Sequence, residues 1–126
     1  MEKHTLTWME LNYMQALDVV RTASSLTAAV SGDDGPYVAE MYFQLEMNGV
    51  QPVIHLSTSG EGRIAHCLQA LPRMALLFRR EHCTGTDVVL AEGTAAITNA
   101  EHGLRLRVPV QTLSARRFFL PQPTGN

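Results

Sequence analysis

Basic residues are scarce in this sequence and lysine is almost absent. Lys3 is the single lysine, and Lys and Arg together number 10 against 12 Asp and Glu, for a formal net charge of -2. A protein that binds nucleic acid needs Lys and Arg clustered where they contact the phosphate backbone. The composition therefore argues against nucleic acid as a main partner, and we interpret the pairs Arg79-Arg80 and Arg116-Arg117 as solvated edges.

Long apolar runs are missing too. No stretch approaches the roughly 18 uninterrupted apolar residues of a membrane span. The start, Met1-Glu2-Lys3-His4, is not followed by the apolar segment of a secretion signal. Two cysteines, Cys67 and Cys83, are too few for a disulfide framework. We therefore expect a cytoplasmic protein with two free thiols and no membrane partner.

Metal-binding patterns are also lacking. His66-Cys67 and His82-Cys83 are pairs of adjacent residues, and adjacent side chains on a helix or strand point in different directions. The spacing of structural zinc ligands does not occur, so no metal site is predicted. Neither cysteine has the basic, polar surroundings of a nucleophile, and both are expected in the core.

What the sequence does contain indicates one globular domain over 1–126, with 45% apolar and 17% charged residues and no linker. Thr7-Trp8-Met9-Glu10 has the form of a capping box, which predicts a first helix over about 8–23. One apolar stripe that stops before Pro72 predicts a second helix, and its members are Ile64, Cys67, Leu68 and Leu71. The core is expected over about 8–112, with a tail over 113–126.

Six strands are predicted from β-prone runs and turn signals, over about 26–30, 37–47, 52–58, 74–78, 87–98 and 104–110. The second alternates cleanly, with Glu40 and Tyr42 on a polar face and Met41 on the other. Asn48-Gly49 after it favours a hairpin, because both residues tolerate positive φ. So many strands joined by tight turns in a short chain favour a small antiparallel barrel, since closure removes exposed sheet edges.

The segment Leu56-Ser57-Thr58-Ser59-Gly60-Glu61-Gly62-Arg63 carries the strongest functional signal. It leads from a predicted strand into a predicted helix. Thr58 and Ser59 offer hydroxyl donors, the glycines let the backbone come close, and helix-start N–H groups with Arg63 supply positive potential. The pattern predicts a phosphate pocket. The alternative is a glycine-rich connection that only caps its own helix.

Several segments together resemble the flavin-binding split barrels related to pyridoxamine 5′-phosphate oxidase, with the nitroimidazole-resistance proteins as the most similar branch. The resemblance covers about residues 10–112 and is carried by SLTAA at 25–29, GPYV at 35–38, TSGEGR at 58–63, LQALPR at 68–73 and DVVLAEGTA at 87–95. It implies a mainly β protein with two short helices, a six-stranded antiparallel split β-barrel that is homodimeric. It also implies FMN held in clefts that the two subunits share.

Carried over by position, the resemblance implies a set of cofactor-binding residues. Ser57 and Thr58 would lie near the ribityl chain and phosphate, with Gly62 beside them, and Arg63 would bind the phosphate. The isoalloxazine edge would follow the backbone of Glu40, Met41 and Tyr42. The side chains of Glu40 and Tyr42 either form a solvated face or adjust the redox state of the flavin or hydrogen-bond a substrate. No catalytic residue is assigned.

Two departures from the family pattern qualify this resemblance. The oxidases carry a second basic residue after the arginine, where this chain has Ile64, and the loss of one charge-assisted contact weakens phosphate binding by about 1 to 3 kcal/mol. The oxidases' substrate-binding arginine and histidine have no counterpart in Arg116-Arg117-Phe118-Phe119-Leu120-Pro121. The chain is therefore not predicted to be a pyridoxamine phosphate oxidase.

The resulting prediction is an FMN-binding flavoprotein and oxidoreductase that acts on a small organic substrate. One alternative is a non-enzymatic carrier or sensor for flavin or haem, in which His55 or His66 would matter more than Arg63. Otherwise, His55 belongs to the barrel wall and His66 is an exposed histidine without a role. The other alternative is an interaction module of the same fold that has lost its cofactor, which Ile64 makes credible.

Overall fold

Residues 7–120 are described by a computed structural model, in ten strands and two helices. The strands are β1 (Thr7–Glu10), β2 (Leu26–Gly32), β3 (Gly35–Met41), β4 (Gln44–Asn48), β5 (Gln51–Thr58), β6 (Arg73–His82), β7 (Gly85–Thr94), β8 (Ala96–Ala100), β9 (Gly103–Pro109) and β10 (Thr112–Phe119). The helices are α1 (Tyr13–Thr22) and α2 (Arg63–Ala70). The expected mainly β fold with two short helices is confirmed.

The strands form two antiparallel sheets joined by two bent strands. The first sheet has the order β1-β10-β7-β6-β2-β3, and the second has the order β4-β5-β9-β8. The chain passes from β3 into β4 through 42–43 and from β7 into β8 through Ala95, so each pair is one long strand that changes sheet. Followed through these bends, the two sheets close into a barrel of six strands. β1 and β10 extend the first sheet outside that circuit.

The six predicted strands correspond to the six strands of this barrel. The two longest predictions, 37–47 and 87–98, are each interrupted where the strand changes sheet, because the corner of a small barrel requires a bend. The predicted alternation through the first is confirmed: Glu40 and Tyr42 are exposed while Met41 is half-buried. The predicted turn is confirmed as well, since Asn48 pairs with Gln51 and Gly49 has a φ of 63°.

The core fills the barrel and continues under both helices. Its largest fully buried side chains include Leu26, Ile54, Leu56, Met74, Leu76, Phe78 and Leu106. α1 packs on β6, β7 and β10, and α2 packs on β2. The apolar stripe of α2 is buried at Ile64, Cys67 and Leu68, whereas Leu71 is half exposed at the C-cap. Within 7–120, neither helix has the length and apolar character to cross a bilayer.

The prediction of a first helix over 8–23 is wrong at its start. Thr7–Glu10 is instead the edge strand β1, antiparallel to β10, and the helix begins at Tyr13. The capping box lies at Asn12, whose Oδ1 accepts from the Gln15 N–H at 2.8 Å while Gln15 Oε1 accepts from the Asn12 N–H at 2.9 Å. The motif at 7–10 is local, whereas the backbone partners that β10 provides come only from tertiary structure.

The segment expected to begin a tail, 113–119, is also a strand. β10 pairs with β7 from Thr112 opposite Glu92 to Phe119 opposite Gly85. At the end of β10 the two strands lie so close together that a Cβ on Gly85 would lie 1.9 Å from the Phe118 carbonyl oxygen. β10 is therefore part of the first sheet, and 121–126 lie outside the described residues.

One fully buried carboxylate ties β10 and α1 to this sheet. Asp87 on β7 accepts from Arg117 Nε at 2.7 Å and from Arg80 Nη2 at 3.1 Å. His82 Nε2 lies 2.9 Å from the same carboxylate without hydrogen-bond alignment. Arg80 also donates to Asp18 on α1 at 2.7 Å. The interpretation of both arginine pairs as solvated edges is therefore wrong for Arg80 and Arg117.

The two cysteines are free thiols, as expected, but only one lies in the core. Cys67 on α2 is buried, close enough to β2 that a Cβ on Gly32 would lie 2.7 Å from its sulfur. Cys83 is exposed in the two-residue turn between His82 and Gly85. The expectation that both are core residues is wrong for Cys83, because a hairpin turn lies at the surface.

Candidate functional site

A groove of about 730 Å³ opens where the bend between β3 and β4 faces the end of β5. Part of its lining is apolar and comes from Ala39, Met41, Phe43, Leu56 and Ile64. The polar part comes from Glu40, Tyr42, Gln44, His55, Ser57, Thr58 and Arg105. A pocket of this size with an apolar lining and a few polar groups suits a small organic molecule or cofactor.

The end of β5 and the start of α2 form the polar end of the groove. Ser57 and Thr58 place hydroxyl groups there, and Gly62 is the N-cap residue of α2. No side chain caps this helix, and its first backbone hydrogen bond runs from the His66 N–H to the Gly62 carbonyl. The backbone N–H groups of 63–65 therefore have no acceptor within the helix, which is the usual source of positive potential at a helix start.

The loop between β5 and α2 is held by its own hydrogen bonds. The Glu61 N–H donates to Ser59 Oγ at 3.2 Å, and the Gly62 N–H donates to the Ser59 carbonyl at 3.5 Å. Gly103 in the β8–β9 hairpin packs against the strand end, since a Cβ there would lie 2.3 Å from the Thr58 carbonyl oxygen. Its φ of 139° also requires glycine. The shape of this corner is thus fixed by backbone contacts on both sides.

Most of the predicted cofactor-binding residues come together in this groove. Five of them line it: Glu40, Met41, Tyr42, Ser57 and Thr58. Gly62 lies beside them as the N-cap of α2. Arg63 does not line the groove, and its guanidinium carbon lies 4.8 Å from the centre of the Tyr37 ring on β3. That these residues bind a cofactor stays a prediction.

Sequence reasoning missed one charged residue of the site. Arg105 lines the groove from β9, where it pairs with Ser57 on β5. The signal was present, because alternation along 104–110 places 105 and 107 on the face opposite to the buried leucines. What the sequence lacked was the pairing of β9 with β5, which puts that face beside the groove.

The histidines considered for the site differ in position. His55 lines the groove, and its Nε2 lies 2.9 Å from Glu46 Oε1 on the neighbouring strand. His66 is exposed on α2 and does not line the groove. Within residues 7–120, no group of three or more His, Cys, Asp or Glu side chains is arranged to hold a metal ion.

Solved structures share this architecture over nearly the whole chain. A protein of Bacteroides thetaiotaomicron, provisionally named a 5-nitroimidazole antibiotic resistance protein, superposes with a TM-score of 0.78 at 14% identity, over 95% of this chain and 92% of its own. A FAD-binding protein of Mesorhizobium loti gives 0.77 at 14%, over 90% and 98%. A provisionally named pyridoxamine 5′-phosphate oxidase of Corynebacterium glutamicum gives 0.69 at 15%, over 91% and 96%.

The chain has the pyridoxamine 5′-phosphate oxidase-like split-barrel fold. The resemblance inferred from short segments is therefore confirmed at the level of the fold. No family model matches the sequence of this split barrel, and no curated protein sequence matches it either. At 14 to 15% identity, the three structures establish the architecture of this chain and not its chemistry.

Proposed function

We propose that this split barrel binds a flavin, specifically FMN, in the groove between the β3–β4 bend and the end of β5. We further propose that it is an oxidoreductase for a small organic molecule. One observation carries the proposal: a single groove of about 730 Å³ combines an apolar lining with an uncapped helix start and two hydroxyl groups at one end. A flavin mononucleotide has the matching chemistry, an apolar ring system joined through a polar chain to a phosphate.

The residues at the polar end fit a phosphate. Ser57 and Thr58 offer hydroxyl donors, and the backbone N–H groups at the start of α2 lack intrahelical acceptors. Phosphate groups bind at helix starts for this reason, since several N–H groups converge on the anion. Arg63, stacked over Tyr37 beside the same helix start, contributes positive charge at longer range.

The other end of the groove fits the ring system. Met41, Phe43 and Leu56 provide apolar surface, and the exposed strand segment at Glu40–Tyr42 offers backbone groups to a ring edge. A bound flavin supplies hydride or electron transfer, so the protein need only bind, orient and exclude water. The side chains of Glu40 and Tyr42 are the polar groups best placed to contact a substrate.

The names of the solved neighbours support a flavin. Proteins of Mesorhizobium loti and Mycobacterium smegmatis with this fold are named as FAD-binding. Their names favour FAD. In this chain the groove has one end that suits a phosphate, which favours FMN. Comparing FMN, FAD and riboflavin directly is therefore part of the test.

The test is the absorbance spectrum of the purified protein, followed by titration with each flavin and measurement of fluorescence quenching. We expect saturable flavin binding, with FMN tighter than riboflavin because only FMN carries the phosphate. Oxidation of NAD(P)H by the loaded protein would then separate an enzyme from a carrier. A Soret band, or a colourless protein that binds none of the three flavins, would contradict the proposal.

We also propose that the split barrel is a homodimer whose partner subunit covers the open side of the groove. Tyr42, in the bend that lines the groove, is 84% exposed, and Val38 on the preceding strand β3 is 57% exposed. Burying such residues against a second copy removes apolar surface from water.

Sedimentation equilibrium tests the dimer. We expect the mass of a dimer for the wild type and of a monomer for Tyr42→Asp. The matched control is Val50→Asp, because Val50 is equally exposed, at 83%, but lies in the β4–β5 turn. This control should stay dimeric. A wild-type monomer at all concentrations would refute the dimer, and a dimeric Tyr42→Asp variant would refute the placement of its interface beside the groove.

A further inference from the structure

Arg105 is the one arginine of the described region that both lines the groove and lacks a side-chain partner; Arg21 and Arg107 also lack one but do not line the groove. Most of the others have side-chain partners: Arg73, Arg79, Arg80 and Arg117 bond carboxylate or amide oxygens, and Arg63 and Arg116 lie over aromatic rings. Within 7–120, none of the ion pairs includes Arg105. Its guanidinium is therefore available to a ligand.

The sheet register places this arginine beside the polar end of the groove. Arg105 pairs directly with Ser57, and both side chains line the groove. Directly paired residues of an antiparallel sheet project from the same face, with Cβ atoms about 4.5 to 5.5 Å apart. An anion that contacts the Ser57 hydroxyl is therefore within reach of the Arg105 side chain.

Neighbouring positions do not offer an equivalent charge. Ile64, next to Arg63 on α2, is 7% exposed and belongs to the apolar core. Arg107 projects from the same face of β9 but pairs with His55, two residues further along β5, and does not line the groove. Arg107 lies two residues along β9 from Arg105, which is a distance of about 6.6 Å along the strand.

We propose that Arg105 binds the phosphate of the flavin mononucleotide and thereby makes the groove prefer the phosphorylated flavin to riboflavin. This inference rests on the proposed function and assigns a binding role to a residue outside the glycine-containing loop. The guanidinium supplies the cation from β9, on the strand next to the Ser57 hydroxyl. Arg105 thus determines which flavin binds, while the ring contacts determine that a flavin binds at all.

The experiment compares the wild type with Arg105→Gln and with the matched control Arg107→Gln. Dissociation constants for FMN and for riboflavin are measured by fluorescence quenching, and thermal unfolding confirms that each variant is folded. We expect Arg105→Gln to weaken FMN binding about tenfold or more and to change riboflavin binding by less than about twofold. Arg107→Gln should leave both constants within about twofold of the wild type.

The outcomes separate this inference from the proposed function. If the wild type binds FMN but Arg105→Gln keeps the wild-type ratio of FMN to riboflavin affinity, the role of Arg105 is refuted and the flavin site stands. Equal losses for both flavins also refute it, because they indicate a contact with the ring or a distorted groove. A wild type that binds neither flavin overturns both proposals.

Discussion

Replacing Asp87 by asparagine is expected to lower the free energy of unfolding by about 3 to 5 kcal/mol, as found when one partner of a buried ion pair is removed. The side chain of Asp87 is completely buried and holds Arg117 and Arg80. Asparagine keeps the shape but not the charge, so Arg117 loses its counter-ion and Arg80 keeps only the exposed Asp18. Because small domains have only about 5 to 15 kcal/mol of stability, this change is large.

The pH dependence of stability should change with it. Burial alone would raise the pKa of Asp87, but the hydrogen bonds from Arg117 and Arg80 and the neighbouring His82 outweigh burial and hold that pKa well below its ordinary value. A lowered folded-state pKa means that the stabilisation is fully present above the unfolded pKa of about 4 and is lost as the pH falls further. In Asp87→Asn, this contribution to acid sensitivity is absent.

Chemical denaturation at neutral pH and at a series of acidic pH values measures both effects. The matched control is Asp18→Asn, because Asp18 belongs to the same network but its side chain is 63% exposed. Its loss should cost less than about 1 kcal/mol. Equal stability losses in the two variants, or an unchanged wild-type pH profile in Asp87→Asn, would contradict a central role for the buried carboxylate.

Replacing Ser57 by aspartate is expected to abolish most FMN binding while leaving the fold intact. Ser57 is exposed, so the new carboxylate needs no burial, and it would lie opposite Arg105 near the uncapped start of α2. There the carboxylate lies where the flavin phosphate would bind, and it repels that phosphate. Two like charges about 4 Å apart near a protein surface repel by about 4 kcal/mol, so a loss of up to roughly a thousandfold is expected.

Ser57→Asn is the matched control, since it has nearly the same shape as aspartate without the charge. Its FMN affinity should stay within about fivefold of the wild type, and riboflavin binding should distinguish the two variants far less than FMN binding does. Titration with both flavins measures the effect, and thermal unfolding verifies the fold. Similar FMN affinities for the two variants would show that no anion binds beside Ser57.

The sequence was sufficient to predict the barrel because its strands follow local rules. Alternation, turn residues such as Asn48-Gly49 and the apolar stripe of α2 are visible within short windows. β1 and β10 were not predicted from the sequence because their pairing partners are distant in the chain. The capping-box pattern at 7–10 even favoured a helix, and only the backbone of β10 makes a strand more stable there.

The candidate site was predictable where it follows one segment and not where it depends on sheet register. Ser57, Thr58 and Gly62 belong to a continuous strand-to-helix connection, so the sequence places them together. Arg105 is far away in the chain and joins them only because β9 pairs with β5. Asp87 was missed for a similar reason, since its partner Arg117 lies on a strand that was expected to be a tail.

A crystal structure of the protein grown with FMN would show whether the groove is the flavin site. We expect electron density for the flavin in the groove, with its phosphate within hydrogen-bond distance of the Ser57 or Thr58 hydroxyl and of the first N–H groups of α2. Density for the phosphate at another surface, or an empty groove at saturating FMN, would contradict this expectation.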